Sequence, residues 1–329
     1  MFSTAIVGAS GYAGQEVLDR VLAHPELELF ALGSDSLAGR DAAELDPRLR
    51  RNSTYAPAFV TNAEALASGA DLLLVCLDHR SAANMEPPAR GVAVDLSGAH
   101  RLEDPSAYEA WYDFAHPRPQ ELAEWAYAVP ELFPPRGRLI ANPGCYATAV
   151  LLALAPLADA IEPESVVVDA KSGVSGAGRA LRPESHAGHV LDNLTPYRVG
   201  THQHAPEIEQ ALGFPVCFVP HLLPLKRGLL VTCYVRLQAD DVRARLETAY
   251  ARSATVDVLP DGIAPELARV QGTDAAEIGL FQDRRTGRTI VICALDNLGK
   301  GAAGQAVQNA NLALGLRETV GLRLPGVLV

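Results

Sequence analysis

One of the five cysteines stands where its thiol could react. Cys145 lies in Ile140-Ala-Asn-Pro-Gly-Cys-Tyr-Ala-Thr148, which runs straight into an apolar stretch from Ala149 to Asp159. That stretch predicts a helix, with Asn142 as its N-cap and Pro143 at the first helical position. Cys145 then falls in the opening turn, among unpaired backbone N–H groups at the positive end of the helix dipole. A thiol there is expected to lose its proton more easily than an ordinary one, its pKa dropping from about 8.5 toward roughly 3.5–7.5. Free cysteine is more often a small buried hydrophobe. The Asn-Pro-Gly lead-in is what favours a nucleophile here.

Such a nucleophile needs a proton carrier. Thr201-His-Gln-His-Ala-Pro-Glu-Ile-Glu209 sets His202 and His204 at the mouth of a short helix predicted over 206–212, and His221 follows a strand in Pro220-His-Leu222. His204 is the first candidate and His221 the second. His202 and His204 lack a third ligand at metal-binding spacing, so no metal site is expected. Two turns could hold an anion. Lys171-Ser-Gly-Val-Ser-Gly-Ala-Gly-Arg179 could cradle a phosphate or carboxylate through its backbone N–H groups, or be a plain hairpin. Lys226-Arg227-Gly228 is a second cationic turn. With Lys300, these two turns hold all three lysines of the chain.

The elements that must position these groups read as two units. Phe2 to Gly8 predicts a buried strand, Gly8-Ala-Ser-Gly-Tyr-Ala-Gly14 a turn, and Gln15 to His24 a helix. Strand, glycine-rich turn and helix form the dinucleotide-binding arrangement. Gly8 would allow the tight turn, Gly11 the approach of a pyrophosphate and Gly14 close helix packing. Apolar runs at 27–33, 71–77 and 91–96 predict further strands, with helical pieces at 62–69 and 81–85 between them. Continuous apolar strands alternating with helices indicate a doubly wound α/β domain on a parallel sheet. From Ser97 to Arg138 the chain turns polar, aromatic and proline-rich, which predicts irregular structure over a cleft. Arg101 sits there, just past the carboxyl end of the fourth strand, where open α/β sheets place their ligands. Beyond the Cys145 helix, strands are expected at 165–170, 215–219, 229–237 and 288–294, with a helix from Asp240 to Arg252. Few helices separate them, so the second domain should be α+β, on a mostly antiparallel sheet with one face covered by helices. The run from Gly301 to Leu316, rich in Ala, Gln and Asn, predicts a helix packed closely against another surface.

Composition sets outer limits. A chain of 329 residues, 48% hydrophobic and 20% charged, can bury two cores of ordinary size. A net charge of -11 disfavours nucleic acid and anionic membranes as partners, and obliges an anionic substrate to find local cations. No apolar run is long enough for a membrane span, and the N-terminus lacks signal-peptide flanks. The scattered cysteines form no CxxC pair, which fits reduced thiols in the cytoplasm. A dinucleotide domain, a cysteine nucleophile and a basic pocket point together to one reaction class. A thiolate attacks an activated acyl group, a nicotinamide exchanges a hydride with the adduct, and histidine moves the protons.

Several blocks together resemble the N-acetyl-gamma-glutamyl-phosphate reductases, a family of the semialdehyde dehydrogenase superfamily. They are Gly8 to Gly14, Asp95-Leu-Ser97 with Arg101-Leu102, Val129-Pro-Glu-Leu132, Asn142-Pro-Gly-Cys-Tyr146, Lys171 to Arg179, His202-Gln-His-Ala-Pro-Glu207, Pro220-His-Leu222 and Asp296 to Asn309. The resemblance implies Cys145 as nucleophile and His204 as acid and base. It implies NADP held by Gly8, Ser10, Gly11, Tyr12, Gly14, Ser34, Arg40, Ser172, Gly173 and Asn297. Arg101, Asn142, Lys171, His202 and His221 would bind the acyl-phosphate substrate. The implied division is a dinucleotide-binding domain over 1–145, a substrate and oligomerisation domain over 146–297, and a C-terminal helix over 298–329 returning to the first. A homodimer or homotetramer is implied too. Two positions depart from the family pattern. Asp35 follows Ser34 where relatives usually carry Arg, and an aspartate there suits a ribose 2′-hydroxyl, so NAD stands beside NADP. Leu77-Asp78-His79-Arg80 replaces the usual Leu-Pro-His-Gly. The alternatives are a related reductase of carrier-bound aminoadipyl phosphate or of aspartyl phosphate, and a non-catalytic redox sensor built on Cys145.

Overall fold

The computed structural model describes residues 1–51, 57–179, 186–239 and 241–326. Strands β1 (Phe2–Val7), β2 (Leu27–Leu32), β3 (Leu72–Val75), β4 (Val92–Asp95), β5 (Ala126–Tyr127) and β6 (Leu139–Ala141) form one sheet. Its order is β2-β1-β3-β4-β6-β5, and every pairing is parallel. Helices α1 (Tyr12–Ala23), α2 (Ala42–Leu45), α3 (Asn62–Leu66), α4 (His79–Ala83) and α5 (Ala107–Tyr112) lie along this part of the chain. One face of the sheet packs Ile6, Leu72, Leu74 and Val94 against Val17 and Val21 of α1. The other packs Ala5, Val7, Leu73 and Val75 against Ala65 of α3 and Ala82 of α4. Burial on both faces is why these strands are apolar without alternation. The doubly wound reading holds. Two corrections apply: β5 and β6 extend the sheet beyond the four expected strands, and 97–138 contains α5 and a 3-10 turn at Pro119–Glu124 rather than irregular chain throughout.

The second sheet contains β7 (Val167–Gly173), β8 (Thr195–Pro196), β9 (Cys217–Leu223), β10 (Leu229–Val235), β11 (Val256–Val258), β12 (Ala276–Asp283) and β13 (Arg288–Leu295). Its order is β11-β12-β13-β10-β7-β9-β8. Antiparallel pairings predominate, but β7 with β9 and β11 with β12 are parallel, so the sheet is mixed. The helices here are α6 (Cys145–Leu154), α7 (Ala187–Val190), α8 (His204–Leu212), α9 (Val242–Tyr250), α10 (Leu267–Val270) and α11 (Gly304–Ala313). Asp240, expected to begin a helix, lies outside the described residues; α9 begins at Val242. After Cys145 every residue of α6 is buried. It lies on one face of the sheet against Val168, Ala170, Val231, Val291 and Cys293. Residues of the opposite face, such as Val167, Lys171, Leu230 and Ile290, are half-buried. A π-helical turn, Gly299–Ala303, precedes α11, which packs Ala306 and Ala310 into the core of the first sheet. Among the described residues no helix is long and apolar enough to cross a membrane.

Candidate active site

The start of α6 is built without a side-chain cap. Gly144 is the N-cap, with extended backbone, and Cys145 is the first helical residue. The expected cap, Asn142, does something else. Its N–H continues the β4–β6 ladder to the Asp95 carbonyl at 2.8 Å, its Nδ2 donates to the Ala302 carbonyl at 3.3 Å, and its Oδ1 accepts from Asn309 at 3.0 Å. The parallel ladder and the C-terminal segment claim Asn142 before the helix can. The N-cap residue itself is held from 63 positions away. Glu207, fully buried, accepts the Gly144 N–H at 2.7 Å and the Tyr127 hydroxyl at 2.8 Å through Oε1. Its Oε2 faces Arg101 Nη1 at 3.4 Å. Sequence reasoning missed Glu207, although it stands one helical turn after His204 and so shares its face of α8.

His204 opens α8 and is buried. Its Nε2 lies so close over Gly144 that a Cβ there would collide with the ring. Nδ1 of His204 has no hydrogen-bond partner among the described residues. His202 Nδ1 accepts the His204 N–H at 3.1 Å, which fixes that nitrogen as unprotonated, and the two rings meet edge to face at 4.7 Å. On the other side, a Cβ on Gly301 would come within 2.8 Å of Cys145 Cβ. Two glycines therefore leave room for the thiol and the imidazole.

Electrostatics correct the expectation of a lowered cysteine pKa. Burial pushes the Cys145 thiol up to about 11, against the pull of the Arg101 charge and of the helix N–H groups. Burial also holds His204 well below 6.5, helped by the charges of Arg101 and Arg198, and lowers His202 and His79 to about 4. The resting pair is a neutral thiol and a neutral imidazole. Cys145, His202, His204 and Ser172 line one cavity of about 800 Å³, together with His79, Tyr112 and Arg198. Arg101 stands behind its wall. Its Nε donates to the Asn142 carbonyl and its Nη2 to the Leu96 carbonyl, both at 2.8 Å.

Strand alternation separates the remaining candidates. Ser172 on β7 and Leu222 on β9 face the cavity, whereas their neighbours Lys171 and His221 pair in register on the opposite face. There Lys171 Nζ donates to the Asp169 carboxylate, and His221 Nδ1 lies 3.2 Å from the Ala170 carbonyl. The loop over 171–179 is no open cradle either. Gly173, Val174 and Ser175 donate their N–H groups to the carbonyls of Gly228, Leu225 and Lys226. Asn297 ties the two turns, accepting from Gly228 N at 2.8 Å and donating to Ser175 Oγ at 2.9 Å. From the end of the loop, Arg179 Nη1 reaches the Ser10 carbonyl at 3.1 Å.

The glycine-rich turn has a shape that fits a dinucleotide. Gly8 has φ +76°, and a Cβ there would sit 2.5 Å from the Cys76 carbonyl oxygen; at Gly14 one would sit 2.6 Å from Ala9 Cα. At Gly11 the nearest atom would be 3.7 Å away, so that side is open to a ligand. Ser34 Oγ donates to Ser10 Oγ at 3.0 Å beside it, Tyr12 is exposed, and Arg40 Nε is taken up by Glu44 at 2.9 Å. Among the described residues no group of His, Cys, Asp and Glu could hold a metal ion.

Residues 3–138 match the family described as semialdehyde dehydrogenase, NAD binding domain, and residues 145–297 match semialdehyde dehydrogenase, dimerisation domain. The chain is 43% identical to an N-acetyl-gamma-glutamyl-phosphate reductase of Geobacter metallireducens and 45% identical to one of Salinispora tropica, with 98% of each chain covered in both cases. Among solved structures it is similar in fold to aspartate semialdehyde dehydrogenase II from Vibrio cholerae, with a TM-score of 0.72 at 21% identity over 96% of this chain and 99% of that one. The aspartate semialdehyde dehydrogenase with NADP from Candida albicans gives 0.65 at 17% identity, over 96% and 99%.

Proposed function

The chain belongs to the semialdehyde dehydrogenase family, among its N-acetyl-gamma-glutamyl-phosphate reductases, and from that premise we propose that Cys145 and His204 carry its reaction. It is an oxidoreductase of amino-acid biosynthesis. It reduces N-acetylglutamyl 5-phosphate to the 5-semialdehyde with release of phosphate, a step that fits arginine biosynthesis.

In this reading Cys145 Sγ attacks the acyl carbon while its proton passes to neutral His204. The carbon–oxygen bond to phosphate breaks, and a thioester remains on Cys145. A nicotinamide dinucleotide, when bound, supplies the hydride that takes the thioester to the aldehyde level. As the tetrahedral adduct collapses, its oxygen re-forms the aldehyde carbonyl, the carbon–sulfur bond breaks, and His204 returns its proton to the departing Cys145 sulfur. Glu207 holds the α6 entrance against His204 by fixing Gly144, with Arg101 as counter-charge. Among the described residues, Arg198 on the cavity wall offers a cation to an anionic substrate, and Arg101 behind the wall adds its charge from a distance. The observation that carries the reading is the seating of the His204 ring directly over Gly144, one residue before Cys145.

The Gly8–Gly14 turn, with Ser10, Ser34 and Asn297 around it, would hold the dinucleotide, and we propose NADP as the preferred one. The domain division is 1–145, 146–297 and 298–329. The half-buried face of the second sheet is the surface on which a cytoplasmic homodimer or homotetramer would form. The deciding assay is phosphate-dependent reduction of NADP and of NAD with N-acetylglutamate semialdehyde. Turnover is expected with NADP above NAD. Replacing Cys145 by Ala should abolish turnover and leave dinucleotide binding intact; turnover surviving in that variant would refute the nucleophile.

A further inference from the structure

Asp35 follows the second strand where an acidic side chain would ordinarily read a ribose 2′-hydroxyl. Its hydrogen bonds lead elsewhere. One oxygen accepts the Asn62 backbone N–H and the other accepts Asn62 Nδ2, both at 2.8 Å. The amide so oriented turns its Oδ1 to the Gly8 N–H at 2.9 Å. Gly8 is the residue with φ +76° at which β1 breaks into the nucleotide turn. Asn62 also sits tightly. A Cβ on Gly33 would come within 3.0 Å of its Oδ1 and 2.9 Å of Ala65 Cβ, so α3 is docked closely onto the end of β2. A carboxylate that grips both the backbone and the amide of one residue leaves that amide a single orientation, with its oxygen toward Gly8.

We infer that Asp35 positions the nucleotide turn through Asn62 and Gly8, and does not choose between NAD and NADP. The inference rests on the reading of the Gly8–Gly14 turn as the dinucleotide site. Removing the Asp35 carboxylate frees the Asn62 amide, and the Gly8 N–H loses its fixed acceptor. Both dinucleotides share the pyrophosphate that this turn receives, so both should suffer alike.

The test is fluorescence titration of the free protein with NADPH and with NADH, for the parent, Asp35→Ala, Asp35→Asn, Asn62→Ala and the double Ala variant. Asp35→Ala and Asn62→Ala are each expected to weaken both nucleotides by about tenfold, the scale of one lost hydrogen bond to a charged group. The NADPH-to-NADH affinity ratio should stay within about twofold of the parent. Asp35→Asn keeps one acceptor and should lose less than Asp35→Ala. The double variant should lose no more than either single, because both act on one chain of bonds. Thermal midpoints should stay within roughly 3 °C, which separates a misplaced turn from a damaged fold. If Asp35→Ala tightens NADPH while loosening NADH, Asp35 reads the ribose and the inference fails. It fails also if neither nucleotide is affected, or if the two single losses multiply in the double variant. A parent that binds neither nucleotide would overturn the reading of the turn itself, and this inference with it.

Discussion

Cys145 and the histidines around it are held neutral by the same burial that shapes the cavity, and this fixes their response to pH. The Cys145 thiol, pushed up to about 11, should react with iodoacetamide more slowly at pH 8 than exposed Cys217 does. Its rate should climb through pH 10, followed by mass spectrometry of the two peptides; a plateau below pH 8 would show a thiolate already formed. His202 makes the complementary prediction. Its folded pKa, about 4, lies below the ordinary 6.5, so the stabilisation from keeping it neutral is present above pH 6.5 and is lost as pH falls through 4. For a side chain this buried the difference is about 3 kcal/mol by pH 4. His202→Gln should therefore show a shallower fall in urea-unfolding free energy between pH 6.5 and 4. A variant as steep as the parent would exclude His202 from the transition.

At the scale of elements, the meeting of α6 with α8 and with the turn before α11 depends on two missing side chains. Gly144→Ala would drive a methyl into His204, and Gly301→Ala would press on Cys145 Cβ. The backbone at Gly144 is ordinary for any residue, so the cost in stability should stay near the 1–3 kcal/mol of overpacking. Turnover, which needs the imidazole in place, should fall about 100-fold or more. Activity loss no larger than the stability loss would mean that His204 tolerates displacement. The α6 segment was legible in sequence because its apolar run and glycine lead-in are local. So were the four longer strands of the first sheet, whose apolar runs need no partner to be seen. What escaped is set by distant pairing. β6 is three residues long and merges with the lead-in to Cys145, while Glu277 and Gly279 interrupt the apolar pattern of β12. Asn142 was misassigned as the cap of α6 because the groups that claim it, Asp95, Ala302 and Asn309, and the Glu207 that fixes Gly144, are remote in sequence. Period-two alternation along β7 and β9 divides motifs that look contiguous in the chain, sending Ser172 inward and Lys171 and His221 outward.

Across the whole molecule, the two sheets are joined by ions rather than by apolar surface alone. Arg20 on α1 and Asp274, just before β12, are both fully buried, and Arg20 Nε lies 3.1 Å from each Asp274 oxygen across 254 positions of sequence. Beside them Arg227, between β9 and β10, donates to Glu16 of α1 at 2.7 Å and to Asp296 at 2.6 Å. Asp296 also accepts the N–H groups of Leu298 and Gly299, each at 2.9 Å, and so orders the turn that leads into α11. A buried pair is expensive to form and more expensive to break on one side only. Asp274→Asn leaves the Arg20 guanidinium enclosed with half its counter-charge gone, and Gly304 opposite leaves no space for a larger replacement. The expected loss is about 3–5 kcal/mol in urea unfolding. Replacing both partners, Arg20→Met with the smaller Asp274→Ala, removes the stranded charge and should recover part of that loss. If the double variant is no more stable than Asp274→Asn, the pair acts through its hydrogen bonds to the chain rather than through charge. In that case the Arg323 N–H, which Asp274 accepts at 2.9 Å, becomes the contact that holds the C-terminal segment in place.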